Sequence, residues 1–387
     1  MRLFAAIIGL LIFSGCKKEN KGSDGNSPKQ AYSIDLTGSY SPTSGNNTAM
    51  VIRVQNDGKI LVLGYQWFIR LEQDGVTIDN TFNPVSELAS SAKVKSFELQ
   101  NDGKIIVFGS FVLSNGRTAI IRLNSDGSID NSFNIPALNF NYSTAMGTGI
   151  RAIKLLGNGK MIVAGQFEYG SLPTTYGIDI ARLNTDQSVD NSFSSPIGYG
   201  DTYGITNILL LENGNFLLAG YGAIQLKDGL NYNVVRINAD GVYDPSFIWG
   251  GNGGSVIVGD MKELPDGKIL IGGSLNITFA NSLTRINPNG DIDNSFNAYG
   301  FNETLESLLV SSDNNILLGF NPNANLPTES QYLNLISSTG IQDTTFHLDL
   351  INASVWCLVN IDDSTILAGG NFTLNNKNYA VIRLKKR

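Results

Sequence analysis

The apolar residues of this chain fall in short runs separated by polar turns, without the period of a helix. In Leu99–Gly109 (LQNDGKIIVFG) an Asp-Gly pair separates two such runs, and in Ala119–Phe133 (AIIRLNSDGSIDNSF) another Asp-Gly pair separates two more. Apolar and alternating runs of this length predict β-strands. Asp-Gly supplies the positive φ that a tight hairpin requires. The two segments together therefore predict four antiparallel strands joined by tight turns.

Both segments recur along the chain. Turns of the first kind lie at Asp57, Asp102, Asn158, Asn213, Asp266, Asp313 and Asp363, about 50 residues apart. Copies of the second segment are Phe68–Phe82, Ala119–Phe133, Ile180–Phe193, Val234–Phe247, Leu283–Phe296, Tyr332–Phe346 and the truncated Ala380–Leu384. Repeats of this length with several short strands each are typical of propellers. We therefore predict an all-β fold, a seven-bladed β-propeller of four-stranded antiparallel blades, as a single domain over residues 31–387.

The two ends of the repeat region are predicted to meet. The last copy stops at Arg383–Arg387, where a fourth strand is due, and Tyr32–Asp35 resembles the Ser-Ile-Asp of Ser128–Asp130. An unpaired strand edge is a liability that proteins usually cover. We expect the N-terminal segment to close the propeller as the outer strand of the seventh blade.

The repeat also resembles a known family. The pattern of Asp-Gly-Lys-Ile followed by an apolar run and a glycine, and then Arg-Leu-Asn-x-Asp-Gly-x-x-Asp-x-Ser-Phe, is similar to the delta-60 repeat family of bacterial β-propellers. The resemblance extends from about Ile34 to the end of the sequence. It implies the fold, but it implies little about activity, because that family is defined by its repeat and not by a shared reaction.

The first 30 residues are predicted to be a targeting segment and a linker. Arg2 precedes the apolar run Leu3–Phe13, which is too short to span a bilayer but suits a signal peptide. Phe13–Cys16 (FSGC) resembles a bacterial lipobox, and the start CKKEN resembles lipoproteins of the Bacteroidetes type. We predict a signal peptide over residues 1–15, a lipid on Cys16, a flexible tether over residues 16–30, and attachment to the outer membrane, facing the periplasm or the cell surface. An ordinary secretory signal with a nearby cysteine is the alternative.

Charge and composition exclude several classes of partner and chemistry. The net charge is −7, and −8 once residues 1–15 are removed, so binding to nucleic acid is not expected. With Cys16 lipidated, Cys357 is the remaining cysteine, in an apolar run that predicts a small buried side chain. The sequence has one histidine and no phosphate-binding loop. We therefore expect no metal, no cofactor and no catalytic residue, and a monomer anchored to the membrane by its lipid alone.

One arginine and one aspartate recur in the repeats. The arginines are Arg70, Arg122, Arg182, Arg236, Arg285 and Arg383, and the aspartates are Asp79, Asp130, Asp190, Asp244, Asp293 and Asp343. Leu335 replaces the arginine in the sixth copy. Residues copied around a ring do not form one asymmetric catalytic set, so we interpret them as ion pairs that fasten each hairpin. The alternative is a calcium loop over Asn124–Asp130, which Arg122 and the missing bidentate glutamate disfavour.

Binding is predicted on one face of the propeller. The Asp-Gly turns share one face, whereas the variable loops, between second and third strands and between blades, share the other, and variable loops on a rigid scaffold usually carry binding. Those loops hold the candidate ligand-binding residues Tyr142, Tyr169, Tyr176, Tyr199, Tyr203, Tyr221, Tyr232, Trp249, Tyr299 and Phe301. Exposed rings beside amides suit a glycan or protein ligand. The alternative is that these rings pack the loops onto the barrel.

The carboxylates of the same loops leave an enzymatic alternative open. They are Glu168, Asp179, Asp201, Asp228, Glu303, Glu306 and Glu329. A glycosidase needs two carboxyl groups at a defined separation, and no motif in the sequence pairs them. The favoured function is therefore a non-catalytic binding or interaction module of the cell envelope. The alternative is a carbohydrate-active hydrolase or lyase.

Overall fold

The computed structural model of the protein describes residues 32–42, 48–90, 93–114, 116, 118–135, 138–139, 149–169, 179–197, 204–251, 256–275, 282–297, 301, 303–321, 332–348 and 350–387. The predicted signal peptide, Cys16 and the tether lie outside these residues. The described fold is all-β apart from one short helix, α1 (Ser86–Ser90). No helix among the described residues is long and apolar enough to cross a membrane.

The strands are short and follow one another closely along the chain. The first half contains β1 (Tyr32–Tyr40), β2 (Ala49–Val54), β3 (Ile60–Gly64), β4 (Phe68–Leu71), β5 (Val94–Leu99), β6 (Ile105–Val112), β7 (Thr118–Leu123), β8 (Leu138–Asn139), β9 (Gly149–Leu155), β10 (Met161–Gln166), β11 (Glu168–Tyr169) and β12 (Asp179–Leu183). The second half contains β13 (Ile205–Leu210), β14 (Phe216–Gln225), β15 (Asn231–Ile237), β16 (Trp249–Gly251), β17 (Ile257–Glu263), β18 (Ile269–Ser274), β19 (Leu283–Ile286), β20 (Thr304–Val310), β21 (Ile316–Asn321), β22 (Leu333–Ile336), β23 (Ile351–Asp362), β24 (Thr365–Leu374) and β25 (Lys377–Lys386).

Each repeat forms one antiparallel meander, in which the first strand pairs with the second and the second with the third. We number these meanders sheets 1 to 7; their strands are β2–β3–β4, β5–β6–β7, β9–β10–β12, β13–β14–β15, β17–β18–β19, β20–β21–β22 and β23–β24–β25. Strand β16 extends sheet 4 beside β15, and one residue pair, Tyr221 with Ile257, joins sheets 4 and 5. Strands β8 and β11 pair with each other. The arrangement is an all-β, propeller-like fold.

The predicted fourth strands are shorter than the sequence pattern suggested. Ile129–Phe133 was expected to be a strand, but its pairing with the third strand is a single bridge between Leu123 and Ile129. The chain then turns, because the Phe133 N–H donates to the Asp130 carbonyl at 3.2 Å. The Asp130 carboxylate accepts bonds from the Ser132 N–H at 2.9 Å and the Ser132 hydroxyl at 2.7 Å. These local bonds replace the ladder that an extended strand would make.

The N-terminal strand pairs with the last strand, as the sequence predicted. Strand β1 lies at the edge of sheet 7 and runs antiparallel to β25, with Ile34 opposite Leu384. Lys385 reinforces the pairing, since its Nζ lies 2.8 Å from Oδ2 of Asp35. The edge of sheet 7 is thereby covered by a segment more than 300 residues away in sequence.

The first strands of successive sheets contact one another in an unbroken series. The contacts run from β2 to β5, β9, β13, β17, β20 and β23, and β23 contacts β2 again. The first strands therefore surround a common axis. The core is divided among the interfaces between consecutive sheets. Phe97, for example, packs with Phe68 between sheets 1 and 2, and Ala49 packs with Val381 between sheets 1 and 7.

The second strand of most repeats contains a glycine that is required by a close approach of the backbone at the start of the first strand. A Cβ at Gly109 would lie 2.2 Å from the Lys93 carbonyl oxygen, and one at Gly165 would lie 2.2 Å from the carbonyl oxygen of Gly149. Both contacts are with backbone, which cannot move aside cheaply. Sheet 6 departs from this rule and has Phe320 at the corresponding position.

In sheets 1 to 5 the repeated arginine and aspartate form ion pairs, as the structural interpretation predicted. In the second repeat Oδ2 of Asp130 lies 2.7 Å from Arg122 Nε and 2.8 Å from Lys104 Nζ. The guanidinium carbon lies 4.9 Å from the ring centroid of Phe133. The hydrogen bonds from these groups hold the pKa of Asp130 well below its usual range.

Most of these arginines also reach the next sheet. In the described part of the chain, guanidinium groups donate to turn carbonyls of the following repeat in the pairs Arg70 with Ser125, Arg182 with Ala239, Arg236 with Pro288 and Arg285 with Ser338. Arg383 of sheet 7 donates to the Asp74 carbonyl of sheet 1 at 2.7 Å. We call these contacts the arginine clasps.

The clasps explain the exception in the sixth copy. An arginine at position 335 would point to a turn between the third and fourth strands of sheet 7. In sheet 7, however, the strand beside β25 is β1, which does not follow β25 through a turn. Leu335 is instead buried in the core between sheets 6 and 7. Those sheets are connected by Lys386, whose Nζ lies 2.7 Å from Oδ2 of Asp313.

Candidate functional site

The first strand of every sheet contains a β-bulge at the same position. There one residue is skipped in the pairing with the second strand; the skipped residues are Met50, Lys95, Arg151, Thr206, Gly259, Glu306 and Trp356. A bulge breaks the regular alternation of side chains and re-aims the skipped one. Six of them are the second or third residue of their strand, and Trp356 is the sixth residue of β23. The residue opposite the bulge is the glycine described above, except in sheet 6, where it is Phe320. The residue type differs in every sheet, although the rest of the repeat is regular.

Several of these side chains meet at the axis. Lys95 belongs to sheet 2 and Glu306 to sheet 6, which are not neighbours, yet the two charges interact. An interaction between non-neighbouring sheets has to cross the space that the first strands surround. The Arg151 charge of sheet 3 interacts with Lys95, and Tyr221 of sheet 4 interacts with Glu306 and with Arg151. We call Lys95, Arg151, Tyr221 and Glu306 the axial cluster.

The protonation equilibria of the cluster are shifted by burial. Burial lowers the pKa of Lys95; the Glu306 carboxylate opposes that shift, and the Arg151 charge adds to it. Burial raises the pKa of Glu306, against the nearby Lys95 charge and a hydrogen bond from Asn321. All four side chains nevertheless retain solvent contact, and Tyr221 is 39% exposed. Burial among protein atoms combined with solvent contact is typical of groups that line a concave surface.

The two cations of the cluster are not neutralised by a partner. Nε of Arg151 is buried and makes no hydrogen bond within the described residues. No hydrogen bond or ion pair engages the Lys95 ammonium in the same part of the chain. The Arg151 side chain passes over Gly204, where a Cβ would lie 3.2 Å from its Cδ. By contrast, each arginine of sheets 1 to 5 described above pairs with its repeat aspartate.

A second group of axial charges lies further along the same strands. Arg53 of sheet 1 and Glu98 of sheet 2 form an ion pair at 3.1 Å. Asp260 of sheet 5 accepts from the Leu308 N–H of sheet 6 at 2.9 Å and from the Met261 N–H at 2.8 Å. Burial raises the pKa of Asp260, and Arg53 on the other side of the axis opposes the shift. These groups have partners and therefore connect the first strands to one another.

The predicted ligand-binding aromatics have different environments. Tyr221 belongs to the axial cluster. Tyr232 is half-buried, and its ring centroid lies 5.8 Å from that of Tyr243. Trp249 is only 4% exposed in the core between sheets 4 and 5, and Phe301 packs against Phe320 with 5.0 Å between ring centroids. For Trp249 and Phe301 the geometry is that of core packing, the alternative that the sequence left open.

The other predicted aromatic side chains lie outside the described part of the structure. They are those of Tyr142, Tyr169, Tyr176, Tyr199, Tyr203 and Tyr299.

Among the predicted carboxylates, Glu306 is the one that the described residues place in the cluster. Asp228 is exposed in a turn, where it accepts from the Leu230 N–H at 3.0 Å, and Glu303 is half-buried. Asp201, Glu329 and the side chains of Glu168 and Asp179 are outside the described part. Within the described ranges, no group of three or more His, Cys, Asp or Glu side chains is arranged to hold a metal ion.

Sequence reasoning missed the two cations. Lys95 and Arg151 lie in strands, not in the loops where binding was expected. The available signal was the variation itself: the residue at the bulge position of the first strand is of a different type in each repeat.

A family model connects the repeats with known sequences. The model described as a "domain of unknown function (DUF5122) beta-propeller" matches residues 55–82, 100–133, 156–193, 213–247 and 264–296. The chain is a β-propeller repeat protein. No curated protein matches it significantly.

Solved structures agree with the propeller fold. The chain is similar to virginiamycin B lyase from Staphylococcus aureus, with a TM-score of 0.59 and 14% identity over 92% of this chain and 99% of that one. A streptogramin B lyase gives a TM-score of 0.54 and 13% identity, over 92% and 98% of the two chains. The extracellular domain of a putative one-component system from B. thetaiotaomicron gives 0.52 and 13% identity, over 93% of this chain and 40% of that one. At these identities the likeness shows the fold alone.

Proposed function

We propose that this propeller is a binding or interaction scaffold of the cell envelope, with its ligand site at the axial cluster. The observation that carries the proposal is that Lys95 and Arg151, two cations without a hydrogen bond or ion pair among the described residues, interact electrostatically with each other, Lys95 also with Glu306 and Arg151 also with Tyr221. Four different sheets supply these groups, so the cluster is asymmetric. A ligand site has to be asymmetric to recognise one orientation of its ligand. The Arg–Asp pairs do not provide this asymmetry, because they are repeated from sheet to sheet.

The proposed architecture is a closed ring of seven four-stranded blades built from delta-60-type repeats. Its support is the closed series of contacts among the first strands and the position of β1 beside β25. In such a ring the bulge residues follow directly after the links between blades. The axial cluster then opens on the face of the variable loops, opposite the Asp-Gly turns. Loops of this face would complete the site around it.

Lipid anchoring is the second part of the proposal. The lipobox-like Phe13–Cys16 and the polar stretch after it support a lipoprotein held at the outer membrane by Cys16, with the propeller as one domain on a tether. In cells that carry the protein, Cys16→Ala should move it from the membrane fraction to the soluble fraction. Unchanged partition would show that the lipobox interpretation is wrong.

A non-catalytic role is favoured because the cluster offers one carboxyl group and two cations. Hydrolysis of a glycosidic bond uses two carboxyl groups, about 5–10 Å apart. The alternative, a carbohydrate-active hydrolase or lyase, is supported by the raised pKa of Glu306, since a carboxyl group of that kind suits acid–base chemistry. Tyr221, whose pKa is also raised by burial, is a second ionisable group that interacts electrostatically with Glu306.

The proposal is tested by screening the full-length protein for retention on panels of glycans and envelope proteins. We expect at least one ligand to be retained, and we expect Tyr221→Ala to weaken it by about tenfold, the loss typical of a central aromatic contact. The control is Asp102→Ala on the Asp-Gly face, where the side chain only accepts from the Lys104 N–H at 3.1 Å. It should lower stability and leave affinity unchanged.

Two outcomes would contradict the proposal. A ligand whose affinity depends on Asp102 and ignores Tyr221 would place binding on the opposite face. New reducing or unsaturated ends in the retained glycan would establish the enzymatic alternative.

A further inference from the structure

The cations of the axial cluster are held at a cost in stability. Burying a charge without a hydrogen-bonding partner is unfavourable, and burying two like charges near each other adds repulsion. Nε of Arg151 is buried without a hydrogen-bonding partner among the described residues. Burial and the nearby Arg151 charge lower the pKa of Lys95, whose side chain also contacts solvent. Glu306 relieves part of this cost, but one carboxylate cannot neutralise two cations. The cluster is thus one negative charge short of neutrality.

We propose that Lys95 and Arg151 form an anion subsite that takes the carboxylate of an acidic sugar, so that the ligand is a uronate-bearing glycan. The proposal rests on the proposed function, whose ligand class it narrows. Both cations come from bulge positions that aim their side chains at the axis. The Arg151 guanidinium is planar and its buried Nε has no hydrogen-bonding partner among the described residues, and a guanidinium can bind a carboxylate in a bidentate manner.

The neutral groups around the cations favour a sugar over an acidic peptide. The Tyr221 ring is exposed beside them and offers a flat apolar face, on which a pyranose ring can stack. Asn321, which follows Phe320 at the end of β21, contacts Glu306 with its amide. Amides and hydroxyls of this kind bond sugar hydroxyl groups. The net charge of −7 of the chain opposes anion binding elsewhere on the protein, so an anionic chain is attracted only where unpaired cations face solvent.

Glu306 competes with the ligand for the same cations. The charged group that interacts with it is Lys95, and the Tyr221 hydroxyl interacts with both Glu306 and Arg151. The ionised carboxylate of Glu306 offsets part of the positive charge that would attract a ligand carboxylate. Replacing it by the isosteric amide, Glu306→Gln, should therefore strengthen uronate binding severalfold at neutral pH.

The experiment measures binding of the full-length protein to polygalacturonate and to alginate by isothermal titration calorimetry at low ionic strength. The matched neutral probe is polygalacturonate with its carboxylates methyl-esterified, which keeps the sugar chain and removes the charge. We expect binding to the two uronate polymers and at least tenfold weaker binding to the ester, since hydrogen bonds to charged groups are the stronger ones. Added salt should weaken binding further.

The variants are Lys95→Gln and Arg151→Gln, each expected to weaken uronate binding by about tenfold or more. Arg151→Gln should also raise the melting temperature, because it removes a charge whose buried Nε has no hydrogen-bonding partner among the described residues. A residue retained only for structure would lower it. Lys377→Gln is the control, since Lys377 is exposed in the β24–β25 hairpin and contacts the Tyr379 ring at 5.0 Å. It should change neither quantity.

The results separate this inference from the proposed function. Equal binding of the ester and the free acid, or uronate affinity unchanged in both Gln variants, would overturn the anion subsite. If neither uronate polymer binds but a neutral glycan or a protein does so through Tyr221, the subsite is refuted and the scaffold function stands. If no ligand of any class is retained, both proposals fail.

Discussion

Removing one arginine clasp should destabilise the whole molecule. We choose Arg285→Leu, because leucine already occupies the equivalent position 335 and is therefore compatible with the strand. The Arg285 side chain is 9% exposed, and its Nε lies 2.7 Å from Oδ2 of Asp293, which is 8% exposed. It also donates to the Ser338 carbonyl of sheet 6 at 2.6 Å and lies 4.7 Å from the Phe296 ring centroid.

The expected loss follows from what remains after the substitution. Removing one partner of a buried ion pair costs roughly 3–5 kcal/mol, because the other charge is left uncompensated. Here Lys268 still lies 2.9 Å from Asp293, so the carboxylate keeps one cation and the loss falls at the lower end. We expect Arg285→Leu to lower the free energy of unfolding by about 3 kcal/mol. The bond between sheets 5 and 6 is lost with it.

The matched control is Lys268→Met, which removes the other cation of the same aspartate. Lys268 is 28% exposed and donates to Asp293 of its own repeat. A pair of this kind is worth about 1 kcal/mol or less. Urea unfolding of both variants, followed by tryptophan fluorescence and far-UV circular dichroism, gives the comparison. If Arg285→Leu is no less stable than Lys268→Met, the clasp does not hold the sheets together and the explanation for Leu335 is wrong.

Three further predictions concern other parts of the fold. Gly109→Ala should lower the free energy of unfolding by about 1–3 kcal/mol, measured in urea, because its Cβ would lie 2.2 Å from a carbonyl oxygen. Hydrogen bonds, chiefly from Lys385, lower the pKa of Asp35 to about 2. The folded state therefore gains stability from Asp35 above about pH 4, and the difference between the parent and Asp35→Asn should vanish as the pH falls towards 2; a constant difference would refute this. Burial raises the pKa of Cys357 to about 12, so in a Cys16→Ala background iodoacetamide at pH 8 should label this thiol only after unfolding.

The regular part of the fold could be predicted from local sequence. Strands with turns at positions such as Asp102 follow from apolar runs and from the φ preference of Asp-Gly, which are local properties. The pairing of β1 with β25 followed from matching a short motif at one end with a gap at the other. The fourth strands were overestimated, because the pattern does not show that Asp130 turns the chain through its own hydrogen bonds.

The candidate site could not be predicted in the same way. Lys95 and Glu306 are more than 200 residues apart in sequence, and only the closed series of sheets brings them across one axis. Trp249 and Phe301 were assigned to an exposed surface because they lie near loops, yet nearness to a loop does not determine burial. Both side chains fill the core at the ends of their sheets.

Because of the arginine clasps, most repeats can be completed only after a later part of the chain has been synthesised. Arg70 finds its acceptor at Ser125 only when the second repeat has left the ribosome, and Arg182 in turn depends on Ala239. Because domains emerge N-terminus first at about 5–20 residues per second, each nascent repeat waits a few seconds for the one that completes it. The Asp74 carbonyl of sheet 1 waits longest for its donor, because Arg383 is synthesised near the end of the chain. Strand β1 likewise waits for β25, its pairing partner. Throughout elongation the β1 segment is an open strand edge, and the growing chain is most exposed to mispairing with its neighbours on the same polysome.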